Sequence, residues 1–153
     1  MKTTICYLLT FFIEAIILEQ YTSTIFESRT KKRYSFIMLT ILYLFLFCFS
    51  LIGNFWLNTS AFFIFNFIYI YCMYQSKITL AFFHSSITTV IMGMCELLIS
   101  GILSHFFPRF LANTTYFRNV ILLAFFSKVL YFLILYLLAH YVIRRKKIVN
   151  IMI

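Results

Sequence analysis

The stretch from Val120 to Lys147, VILLAFFSKVLYFLILYLLAHYVIRRKK, decides the architecture: apolar or weakly polar residues carry one full charge, Lys128, before Arg144, Arg145, Lys146 and Lys147 arrive together. A hydrocarbon layer roughly 30 Å thick is crossed by about 20 apolar helical residues. Cations flanking such a segment mark its cytoplasmic end. Working outward, the same reading applies to about 4–26, 36–52, 61–74 and 78–103, with the last span at 120–143. The fold class that follows is an all-α, polytopic integral membrane bundle of five helices, a single membrane domain with a basic tail at 144–153.

Composition agrees with lipid as the solvent. Hydrophobic residues make up 63% of the 153, charged residues 11%, and only one proline and three glycines interrupt them, too little polar surface for a soluble domain of this size. Long unbroken runs exclude a barrel, whose strands would alternate in polarity over about ten residues. The first span has no small-x-small cleavage site after it and is interrupted by Glu14, so it reads as a retained anchor rather than a signal peptide. Span three is short, and Trp56 and Leu57 are candidates to extend it.

Orientation follows from the cations. Arg29, Lys31, Lys32, Arg33, Lys77 and the four of the tail put nine on one side, against Lys2, Arg109 and Arg118 on the other. By the positive-inside rule the N-terminus is outside and the C-terminus cytoplasmic, which makes this a multi-pass protein of the cell membrane. The +9 formal charge is therefore a topology signal, with attraction to anionic headgroups, and not a nucleic-acid surface. Cys6, Cys48, Cys72 and Cys95 all fall within spans, without a CxxC pair, and are expected as buried apolar side chains. Asn58-Thr59-Ser60 and Asn113-Thr114-Thr115 fit the glycosylation sequon in outer loops, a pattern that polar turns produce readily by chance.

Three ionisable residues, Glu14, Glu96 and Lys128, fall at membrane depth, where an isolated charge costs several kcal/mol and must face protein or water. Counting at about 1.5 Å per residue from the outer ends of spans four and five brings Glu96 and Lys128 to the same level, with Glu14 slightly deeper. A buried ionic clasp and a ligand-responsive cluster are both compatible with that placement. Span four carries Ser85, Thr89, Gly93, Glu96, Ser100 and Ser104 on about one quadrant of the helix, a face suited to close helix packing and interhelical hydrogen bonds. Span one has a weaker counterpart in Thr3, Tyr7, Thr10, Glu14 and Tyr21. Ordinary packing explains these stripes; a polar cavity between spans one, four and five is the alternative with functional content.

Catalytic patterns are missing from the sequence. His84 and Cys95 lie about 16 Å apart along one helix, too far for a dyad, and no HExxH, nucleophile elbow or phosphate loop occurs. No catalytic residue, metal ligand or cofactor is expected. His84 is expected near the cytoplasmic interface, within reach of Glu19. Trp56, Phe106, Phe107, Phe110, Tyr116 and Phe117 fall near the outer boundary, where aromatic rings favour the headgroup region. The loop from His105 to Asn119, with Pro108 and Arg109, is the one outer connection long enough to face a ligand.

These Phe/Ile-rich spans, the basic first turn, the Tyr74-Gln75-Ser76-Lys77 turn and a polar span with an internal Glu96 resemble the membrane sensor half of AgrC-type peptide-pheromone receptor histidine kinases. The resemblance covers the whole chain through diffuse features. It implies a receiver for a peptide or small signal, joined to cytoplasmic dimerisation and ATP-binding domains, with a homodimer or a cytoplasmic signalling protein as partner. The sequence departs from that pattern after its basic tail, where no phospho-accepting helix or ATP-binding domain follows. The expected function is a non-catalytic membrane sensor or regulatory module of a two-component system. The alternative is a small transporter or export accessory subunit that uses a polar intramembrane cavity.

Overall fold

A computed structural model describes the backbone at 2–106 and 117–151 and side-chain surroundings at 4–106 and 121–142. The expected outer turn at Pro108 and Arg109, the Asn113 sequon, and the side chains of Thr3, Phe107, Phe110, Tyr116, Phe117, Arg118 and the Arg144–Lys147 cluster lie outside the described residues. Five helices account for nearly all of the rest: α1 (Lys2–Ile25), α2 (Lys32–Ser50), α3 (Phe55–Met73), α4 (Ile78–Phe106) and α5 (Phe117–Ile151). Each contains a window long and apolar enough to cross a membrane.

The helix ends correct the expected boundaries. α3 begins at Phe55, ahead of residue 61 and taking in Trp56 and Leu57, the expected extension, because Asn54 caps it: its side-chain oxygen accepts from the backbone N–H of Trp56 at 3.0 Å and Leu57 at 3.2 Å. Gly53, at φ +74°, supplies the left-handed residue that lets α2 stop and α3 start within a few residues. α5 runs on to Ile151 without a break at residue 143, so the expected tail is backbone-continuous with the span.

The helices pack in a ring, α1 on α2, α2 on α3, α3 on α4, α4 on α5 and α5 back on α1. Consecutive helices are antiparallel, and with an odd number of them the closing pair, α1 and α5, is parallel. At one end the α1–α2 and α3–α4 turns are tied together by backbone hydrogen bonds from Arg29 N–H to Met73 C=O and from Gln75 N–H to Glu27 C=O, each 2.9 Å. The ring's interior in this half is filled by Leu18, Leu39, Tyr69, Ile70, Tyr131 and Leu135, all fully or almost fully buried. Large apolar side chains such as Leu97, Phe45 and Phe125 point outward, as expected where lipid replaces water. Of the cysteines only Cys95 is buried; Cys48 is exposed on the outer surface of α2, which corrects the expectation that all four are interior.

Candidate functional site

At the end opposite the tied turns, the ring opens into a vestibule of about 450 Å³. Every helix contributes to it: Thr4, Tyr7, Thr10, Phe11 and Glu14 from α1, Ser50 from α2, Asn58 and Phe62 from α3, Met92 and Glu96 from α4, Ser127 and Lys128 from α5. Periodicity explains the convergence. Tyr7, Thr10 and Glu14 recur at the 3–4 residue spacing that keeps them on one face of α1, while Ser127 and Lys128 face inward from the parallel helix α5.

Lys128 Nζ pairs with Glu14 Oε1 and donates to Glu96 Oε1 at 2.6 Å, joining α1, α4 and α5 through one ammonium group. The two acids differ in setting: the Glu14 side chain is 4% exposed and Lys128 5%, whereas Glu96 is 44% exposed at the vestibule wall. Taking charges out of water costs several kcal/mol each, and bonded geometry of this kind offsets that cost. The offset is incomplete. Glu14 Oε2 and Asn58 Oδ1, both buried, have no hydrogen-bond partner among the described residues. Below them Tyr131 OH is likewise buried without a partner there, and Tyr43 OH donates to Asn66 Oδ1 at 3.1 Å.

A second polar cluster sits at the tied-turn end. Glu19 Oε2 accepts from the hydroxyl of Tyr69, from Tyr74 at 2.9 Å and from Ser35 at 3.4 Å, gathering α1, α2, α3 and the following turn. Ser35 and Tyr69 also bond to each other at 2.7 Å. Tyr74, outside the spans, has its hydroxyl pKa pushed up, chiefly by burial. His84 is buried and pairs with the Tyr21 hydroxyl on α1 through Nδ1 at 2.7 Å.

The α4 face is only partly the expected one. Ser85 and Thr89 are buried, while Gly93 and Ser100 are half-buried, and the interior side is marked by Ala81, His84, Thr88, Met92 and Cys95. Gly93 is not a point of close helix approach, since a methyl group built there meets nothing within 4 Å. The hydroxyls also stay within the helix: Ser85 donates to Phe82 C=O at 2.9 Å and Thr89 to Ser85 C=O at 2.8 Å. Tyrosines make the bonds between helices instead. Sequence reasoning assigned the aromatics to boundary anchoring and so missed Tyr43, Tyr69, Tyr74 and Tyr131; the usable signal was that Tyr69 and Tyr131 are polar-tipped residues in the middle of otherwise apolar runs. Asn58, noted only as a sequon, lines the vestibule.

Among the described residues no three His, Cys, Asp or Glu side chains converge as a metal site requires. The arrangement is a recessed polar cavity whose charged wall is shared by α1, α4 and α5. Comparison with protein-family models, with curated proteins and with solved structures finds no match for this chain.

Proposed function

We propose that the chain is a non-catalytic receiving module of the cell membrane, whose vestibule faces outward and takes a small ligand that biases the packing of α1, α4 and α5. The observation that carries this reading is the convergence of Glu14, Glu96 and Lys128 on the wall of one cavity. A ligand can shift a conformational equilibrium only through differential contacts with its two states. A charge cluster bridging three helices is where such contacts would act on helix packing. The outward orientation is supported by the cations, since Arg29, Lys31, Lys32, Arg33 and Lys77 sit in turns at the opposite end. Output would pass along α5 to a second copy or to a cytoplasmic partner. The layout shared with AgrC-type sensors suggests a two-component setting.

Transport is the competing reading, and the closed lower half of the ring weighs against it. Leu18, Tyr69 and Tyr131 are 0% exposed beneath the charge cluster, which favours a dead-end pocket over a through-path.

The test places one cysteine at Thr24 and one at His140, lipid-facing positions on α1 and α5 that border the same small cleft near the tied-turn end. All four native cysteines are replaced first. Glu96→Gln, far up in the vestibule, is expected to change the rate of Thr24→Cys to His140→Cys disulfide formation at least threefold. An unchanged rate in a folded variant refutes coupling between vestibule and α5. Solute flux in proteoliposomes at channel or carrier rates would replace the receiver reading with transport.

A further inference from the structure

Resting on the receiver reading, we infer that the vestibule recognises a protonated primary amine carried on a small organic body, seated against Glu14. Charge balance is the first ground. Two carboxylates face one ammonium, and Lys128 spends its bonds on Oε1 of each glutamate. With all three ionised the cluster carries one net negative charge; Glu96 meets solvent at the wall, Glu14 does not, and one monovalent cation seated at Glu14 restores neutrality.

The unpartnered atoms are the second ground, and they point the same way. Glu14 Oε2 and Asn58 Oδ1 are both acceptors, both buried, and both belong to residues lining the vestibule from opposite sides, α1 and α3. A primary ammonium brings three N–H donors and no acceptor, which is the complement that Glu14 Oε2 and Asn58 Oδ1 each lack. A carboxylate or phosphate ligand would leave both unsatisfied and add to the negative charge. The walls suit the rest of such a molecule. Tyr7, Phe11 and Phe62 offer ring faces and edges to a cation and to attached carbons. A cavity of about 450 Å³ is much larger than a bare alkali ion needs and lies in the range of organic-ligand sites. The N-termini of α1, α3 and α5 also open at this end and favour anions, but that influence fades within the first turn. Glu14 lies about 18 Å along α1 from Lys2 by helical rise.

Two sources of this chemistry exist, a free amine and the ethanolamine headgroup of a phospholipid, and the experiment separates them. The full chain is reconstituted in nanodiscs of phosphatidylglycerol, which has no ammonium, and titrated calorimetrically with n-butylammonium chloride, n-butanol and sodium butyrate at fixed ionic strength. Binding of n-butylammonium alone is expected, with affinity falling about tenfold or more in Glu14→Gln, as loss of a charge-assisted contact predicts. Asn58→Leu, which leaves the charge cluster intact, is expected to weaken it severalfold and serves if Glu14→Gln does not fold. Equal affinity in discs containing phosphatidylethanolamine assigns the site to a free amine. Loss of n-butylammonium binding in those discs assigns it to the lipid headgroup. Equal binding of n-butanol, preference for butyrate, absence of n-butylammonium binding in phosphatidylglycerol, or undiminished affinity in both variants overturns the inference. The receiver reading fails separately, if the amine binds while the Thr24→Cys to His140→Cys disulfide rate stays constant.

Discussion

Replacing Lys128 by Met is the most informative single perturbation. The methionine fills similar apolar volume, but Glu14, 4% exposed, loses the partner of its Oε1 while its Oε2 already has none among the described residues. Removing one member of a buried ion pair costs about 3–5 kcal/mol, because the other charge stays buried. That moves the unfolding equilibrium by roughly two to four orders of magnitude. Glu96→Gln should cost about 1 kcal/mol or less, since its carboxylate is 44% exposed and solvent screens much of the interaction. Glu14→Gln removes the uncompensated charge, leaves the Lys128 to Glu96 bond in place and should be nearly as mild. The Glu14→Gln/Lys128→Met double variant should recover at least half of the Lys128→Met loss. The measurement is an SDS titration of the protein in dodecylmaltoside micelles, followed by circular dichroism and by the fluorescence of Trp56, the single tryptophan. A Lys128→Met curve within about 1 kcal/mol of the wild type, or a Glu96→Gln loss equal to it, would refute the picture of one ammonium balancing a buried carboxylate.

At the tied-turn end, Tyr69→Phe strips a donor from Glu19 and a hydrogen-bond partner from Ser35 and is expected to cost about 1–3 kcal/mol in the same titration. Tyr21→Phe, which removes one bond to His84, should cost about 0.6 kcal/mol, the usual worth of a side-chain bond between membrane helices. The glycines should split: Gly93→Ala is neutral or stabilises by up to about 1 kcal/mol, because nothing lies near the added methyl group. Gly53→Ala costs about 1–2 kcal/mol at its left-handed φ, with the difference visible as opposite shifts in the unfolding midpoint. Alkaline pH should destabilise the bundle. Burial raises the Tyr74 pKa above its unfolded value, so the stability it contributes is intact below about pH 10 and drains away above it. Tyr74→Phe should make the loss between pH 9 and pH 11, read by the same titration, measurably shallower.

The helix count and the level of the charge set were legible because both rest on simple rules: hydrocarbon thickness fixes span length, and a fixed rise per residue converts sequence distance into depth. Glu96 and Lys128 could be brought to one level by counting. That Lys128 also pairs with Glu14 needed the ring closure of α1 on α5, which apolar helix surfaces do not encode in periodicity. The start of α3 was hidden because Asn54 sits among apolar residues and acts as a cap only once Gly53 has turned the chain. The α4 stripe misled for a different reason. Serine and threonine in a helix can satisfy themselves on the carbonyl three or four residues back, as Ser85, Thr88 and Thr89 do, and so their spacing says little about a neighbouring helix. Tyrosine cannot reach its own backbone that way, and its hydroxyl has to travel to another element.

The parallel packing of α1 and α5 leaves the ring with one junction unlike the rest. Each of the other junctions joins helices consecutive in the chain, and connecting segments limit how far those neighbours can part. The α1 to α5 junction has no such tether across it, and Lys128 clips it shut against Glu14. Its closure therefore rests on side-chain packing and on that ion pair alone, whereas every other junction is also held by the chain itself.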